Sequence, residues 1–132
     1  MTKGEYFCSV EQKEIVSGFT QLGKLMQALG NNEGWKDFTI GVTKSEYESL
    51  IGIINRQFSY NGWFTKENVR KALLNLAEQL TEENLASWTA EYAFSQNPKR
   101  IGIIMAGNIP LVGFHDFLCV LCSGNKAVCK LS

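Results

Sequence analysis

Apolar residues in the first two thirds of the chain recur every three or four positions, the spacing that gathers them on one face of an α-helix. Ile15, Phe19, Leu22, Met26 and Leu29 form the first stripe, and Gly30 with the "NNEG" after it supplies a stop, so the spacing predicts a helix over 11–29. The stretch "GWKDFTIGV" has no such period and reads as a connection. Tyr47, Leu50, Ile51, Ile54 and Phe58 make a second stripe, with Thr43 or Ser45 as its N-cap and "YNGW" as its break. Thr65 heads a third helix through Val69, Leu73, Leu76 and Leu80, and Thr81 a fourth through Leu85, Trp88 and Tyr92. Glu82 and Glu83 fall in the first turn of that fourth helix, where negative charge complements the helix dipole and no catalytic role is needed. Trp35, Trp63 and Trp88 stand at helical spacing or beside turns and are expected to pack.

The pattern changes at "NPKRIGIIMAG". Ile101, Ile103 and Ile104 form a short, β-branched run after Pro98, the reading of a buried parallel strand. Gly107 then permits a tight turn, and Pro110 suits the first position of a helix because no N–H is needed there. That helix carries Leu111, Phe114, Leu118 and Leu121, and Gly124 stands where a left-handed terminal residue is wanted. "KAVCKL" supplies a further strand. Strand, helix, strand in this order predicts a βαβ unit with parallel strands. The expected fold class is therefore α/β: a helical region over 1–97, then the start of an α/β domain over 98–132 whose ligands would meet the C-terminal strand ends.

Composition narrows the function. A chain of 132 residues, 45% of them hydrophobic, can bury a real core. Thirteen basic residues balance thirteen acidic ones without blocks of either sign, which removes the footprint of a nucleic-acid binder. No apolar run approaches the ~20 residues of a membrane-spanning helix, and "MTKGEYFCSVEQKE" lacks the apolar stretch of a secretory leader, so a cytoplasmic protein is expected. Cys8 stands alone, while Cys119, Cys122 and Cys129 lie in apolar segments and read as reduced core residues. "CVLC" falls at the end of its helix, away from the N-terminus that would favour a thiolate, and no set of residues has the spacing of a metal site. His115, the single histidine, and the adjacent Asp116 point about 100° apart on a helix, so they form no dyad and His115 reads as a packing or interface residue.

Three motifs near the end of the chain resemble a known family. Asn108-Ile109-Pro110, Gly124-Asn125 and Lys130-Leu131-Ser132 stand in the order in which the aldehyde dehydrogenase superfamily carries N-x-P, Gly-Asn and Lys-x-Ser around its first cofactor-domain strands. The wider stretch "GIIMAGNIPLVGFHDFLCVLCSGNKAVCKLS", with "GWFTKENVRKALLNLAE" upstream, is similar to the LuxC-type acyl-CoA reductases of that superfamily. The resemblance covers about 63–132 and implies a Rossmann-like cofactor domain. It also implies the N-terminal portion of an enzyme that takes an acyl group from acyl-CoA or another acyl thioester onto a cysteine, then releases an aldehyde with hydride from NADPH. Asn108 matches the asparagine that donates to the oxyanion, and Lys130 the lysine that binds the adenosine ribose. Met105, Ala106, Gly107 and Ser132 fall along the cofactor. Gly107 replaces the family's tryptophan, and the nucleophile belongs to a later domain, so this portion by itself is expected to be inactive. The implied associations are a homo-oligomer or a partner protein in an acyl-transfer complex. Two alternatives stay open: a non-catalytic helical interaction module, and a superfamily member acting on acyl phosphates. Asn108 also has a second role open to it, as the N-cap of the helix that follows.

Overall fold

A computed structural model describes residues 3–38 and 41–131, with side chains from residue 11 onward. The fold is mixed α/β, mostly helical, with one small two-stranded parallel sheet. Four helices come first: α1 (Lys3–Gly30), α2 (Lys44–Arg56), α3 (Lys66–Gln79) and α4 (Glu82–Thr89). The first runs eight residues further toward the N-terminus than its apolar stripe, because "KGEYFCSV" contains no helix breaker although it contributes no periodic apolar residues. Each of the next three starts where a threonine hydroxyl accepts a backbone N–H: Thr43 from Glu46, Thr65 from Asn68 and Thr81 from Asn84. At Thr43 the cap is reciprocal, since the Glu46 carboxylate accepts the Thr43 N–H at 2.7 Å. Those hydrogen bonds hold the Glu46 carboxyl below its ordinary range.

The predicted stripes meet in one core. Phe19, Leu25, Met26 and Leu29 of α1 pack with Tyr47 and Ile54 of α2, Val69 and Leu73 of α3, and Leu85 of α4. Leu118 and Cys122 belong to the same cluster, so one core runs through both the helical region and the segment after it. Tyr47 is fully buried and its hydroxyl donates to the Glu33 carbonyl at 2.8 Å, which satisfies the polar group it carries inside. Burial and the neighbouring Glu33 carboxylate push the Tyr47 hydroxyl above its ordinary pKa. The closest approach is between α1 and the end of α3, where a Cβ on Gly23 would lie 2.7 Å from the Cβ of Leu80.

Two residues assigned to helical faces lie past the helix ends. Phe58 falls in a 3-10 turn, Gln57–Ser59, after α2 has closed at Arg56, and Tyr92 lies beyond α4; both are exposed. Tyr92 still meets the Trp88 ring edge-on, with centroids 6.2 Å apart.

The sheet consists of β1 (Arg100–Ile104) and β2 (Lys126–Lys130), joined through α5 (Phe114–Cys122). Its register runs from Arg100 opposite Lys126 to Ile104 opposite Lys130. Gly124 ends α5 with φ +82°, and a Cβ there would meet the Ser95 nitrogen at 2.9 Å, so both the left-handed turn and the close approach require glycine. Asn125 ties the strand starts together: its side-chain oxygen accepts the Lys99 N–H at 2.9 Å and its amide nitrogen donates to Ser123 Oγ at 3.0 Å.

The expectation of a buried strand is corrected. Only Ile103 of β1 is buried; Ile101 and Ile104 are exposed, Ile104 at 84%. With one neighbouring strand and α5 as its packed helix, the two-stranded sheet is covered on one side only. The same arrangement exposes Cys129, leaves Cys119 half-buried and makes Cys122 alone a core cysteine among the described side chains. The side chain of Cys8 lies outside them.

Candidate functional site

The parallel register brings the strand-end residues to one edge of the sheet. Ile104 and Lys130 are partners, and the Met105 N–H continues the ladder by donating to the Lys130 carbonyl at 2.9 Å. From that edge the chain turns through Ala106, Gly107, Asn108 and Ile109, all exposed, while Met105 is half-buried. Lys130 is exposed and has no ion-pair partner among the described residues. Ser132 lies outside the described residues.

Pro110 does not open the following helix. Leu111 adopts φ +59°, a left-handed conformation that interrupts any helix starting before it, and α5 begins only at Phe114 with Gly113 as its N-cap. The N–H of Phe114 instead donates to the Leu111 carbonyl at 3.1 Å, closing a turn. Asn108 is therefore not the cap of α5. Its side chain is exposed and makes no hydrogen bond within the described protein, which leaves an amide with both donors free at the C-terminal end of a strand.

A groove of about 280 Å³ opens beside this amide, between the turn and α3. Trp63, Lys71 and Asn75 line one wall, and Asn108, Ile109 and Pro110 the other. Trp63, expected to pack, is 73% exposed: it precedes Thr65, the N-cap of α3, and so stands outside the face that α3 turns to the core. Asn61 fixes the groove's width. Its amide nitrogen donates to the Gly107 carbonyl at 3.0 Å and its oxygen accepts the Trp63 N–H at 3.0 Å, so one side chain holds both walls. Asn61, Trp63, Lys71 and Asn75 carry no motif that marks them as site residues in the sequence. Their local pattern is that of a turn and a solvated helix face, and the one available cue is an aromatic beside "NG".

The thiols near the site are quiet. Burial raises the Cys119 thiol, and the Asp116 carboxylate adds to the rise; burial carries Cys122 up to about 11. His115 Nε2 lies 3.6 Å from Cys119 Sγ, and the ring faces Trp88 at a centroid distance of 6.3 Å, so the histidine packs on α4 as well as on its own helix. Its nearest acidic neighbour in sequence, Asp116, shows no hydrogen bond to it.

No protein-family model, curated protein or solved structure matches this chain. What the site does is read from its own residues. No helix among the described residues is long and apolar enough to cross a membrane.

Proposed function

We propose that this chain forms the first part of a cytosolic, NADPH-dependent acyl-CoA reductase, with the acyl-accepting cysteine supplied by sequence outside these 132 residues. The observation that carries the reading is the edge formed by the parallel strands. An unpaired, exposed Asn108 amide and an unpaired Lys130 ammonium both follow from strand ends that sit side by side. Open α/β sheets present ligand-binding groups at such an edge.

Each residue has chemistry suited to the reaction. The Asn108 amide donates without carrying a charge, so it can stabilise negative charge on a thioester oxygen as the carbonyl is attacked, a contribution of about 3–4 kcal/mol for one such donor. Lys130 offers three donors and a positive charge to a ribose or phosphate, and the exposed backbone at Ala106 and Gly107 has no side chain bulk to keep a planar ring away. These features fit a dinucleotide laid across the strand ends: a free cation, small residues and an uncovered edge. Bound NADPH would supply hydride; Met105, Ala106, Gly107 and Lys130 would hold it. The cysteines of α5 are poor nucleophiles for the first step, since burial keeps Cys119 and Cys122 protonated well above neutral pH.

The test is NADPH binding and turnover by the complete gene product. Stoichiometric NADPH oxidation with aldehyde release from an acyl thioester is expected, with Lys130→Ala raising the Kd for NADPH by about tenfold through the lost charge-assisted hydrogen bond. A folded gene product that binds no NADPH at millimolar concentration would leave the non-catalytic interaction module as the reading.

A further inference from the structure

The groove beside Asn108 has walls unlike those of a simple hydrophobic cleft. Asn68, Asn75 and Asn108 bring three side-chain amides to it, and Trp63 and Ile109 bring exposed apolar surface. Asn75 and Asn108 make no hydrogen bond within the described protein. Asn68 spends its amide nitrogen on the Trp63 carbonyl at 2.9 Å, which leaves its oxygen to accept. Lys71 lies on the same wall and has no ion-pair partner among the described residues. At about 280 Å³ the groove lies at the lower edge of the ~300–1,000 Å³ range of small-molecule clefts, so it suits a slender ligand. The Asn61 staple sets the two walls before anything binds, which lowers the ordering cost of binding.

We propose that this groove binds the pantetheine arm of an acyl carrier, with its amides paired to the asparagines, its methylene and methyl groups on Trp63 and Ile109, and its phosphate at Lys71. An amide side chain both donates and accepts, so a row of them matches a ligand that itself alternates amides with short apolar links. The proposal rests on the reductase reading, because that reading puts the thioester carbonyl at Asn108 and so requires the arm ending in that thioester to lie alongside. The same arm occurs on coenzyme A and on carrier proteins, and the groove reads the part they share.

Isothermal titration and ¹⁹F spectra of the complete gene product labelled with fluorotryptophan test it, with the Trp63 resonance assigned through Trp63→Phe. Coenzyme A and 4′-phosphopantetheine are expected to shift the Trp63 resonance. Asn75→Ala should weaken both about tenfold, the loss of one ligand hydrogen bond. Lys71→Ala should weaken 4′-phosphopantetheine and leave pantetheine, which lacks the phosphate, unchanged. Lys71 and Asn75 are exposed, so thermal midpoints close to the parent value are expected for both variants. A shift seen with coenzyme A and 4′-phosphopantetheine identifies coenzyme A as a source; a shift produced only by the arm on a carrier protein identifies the carrier, and either supports the groove. Failure of all of these ligands to move Trp63, or an equal shift with 3′,5′-ADP alone, overturns it. NADPH titrated separately keeps the two readings apart: arm binding without NADPH binding defeats the reductase, and NADPH binding without arm binding defeats only the groove.

Discussion

Asn108 shows what one residue's surroundings do to its interpretation. Its two roles, oxyanion donor and helix cap, differ in their effect on stability, because losing an asparagine cap costs about 1 kcal/mol. With Gly113 capping α5, that cost disappears from the expectation. Asn108→Ala in the complete gene product should lower single-turnover acylation by about 10²–10³ with an unchanged thermal midpoint; normal acylation in the variant would remove Asn108 from the site. Cys122 gives a second residue-scale prediction, with a definite sign. Its thiol ionises near ~8.5 in an unfolded chain and at about 11 when folded, so between those values the folded state holds the proton that the unfolded state has lost. The stability this represents is complete below about pH 8.5 and is lost as pH rises toward about 11. Melting curves across that interval should show a falling midpoint, and Cys122→Ala should make the fall shallower without abolishing it, because Cys119 and Tyr47 are also raised. Asn108 and Lys130 can be named from the sequence because they belong to short motifs. Asn61 cannot, since its partner, Gly107, lies 46 residues away.

At the scale of elements, caps and apolar periods are local properties, and the starts of α2, α3 and α4 fall at the threonines that the sequence nominates. The start of α5 is different. Pro110 is compatible with a helix, but the left-handed Leu111 turns the chain and delays the helix to Phe114. Two glycines of α1 separate propensity from packing. A Cβ added at Gly18 would have nothing within 4 Å, so Gly18→Ala should stabilise the chain by up to about 1 kcal/mol through helix propensity. Gly23→Ala should destabilise it, because the new Cβ would lie 2.7 Å from Leu80 Cβ and 3.0 Å from Leu80 O, and overpacking of about 1–3 kcal/mol outweighs the same propensity gain. Thermal midpoints moving in opposite directions for the two variants would bear this out; equal shifts would show that α1 and α3 do not meet so closely.

At the scale of the whole molecule, the apolar residues that one core cannot cover become the dominant surface feature. Ile104, Val128 and Leu131 are all exposed on or beside the two-stranded sheet, whose strands also retain unpaired backbone edges. The 132-residue chain should therefore self-associate with rising concentration, and Ile104→Lys should shift it toward monomer in sedimentation velocity runs. Unchanged association in that variant would exclude the sheet as the contact. The sequence by itself determined the helical stripes, the threonine caps, the glycine at the end of α5 and the order of the motifs. All of these depend on residues within a turn or two of one another, where backbone sterics and periodicity act directly. Only the tertiary structure decided which apolar residues are covered, that Trp63 faces out while Trp88 packs, and that Asn108 shares a groove with α3. Those outcomes depend on surfaces brought together from distant positions, and neither a period nor a cap records which surface a given face will meet.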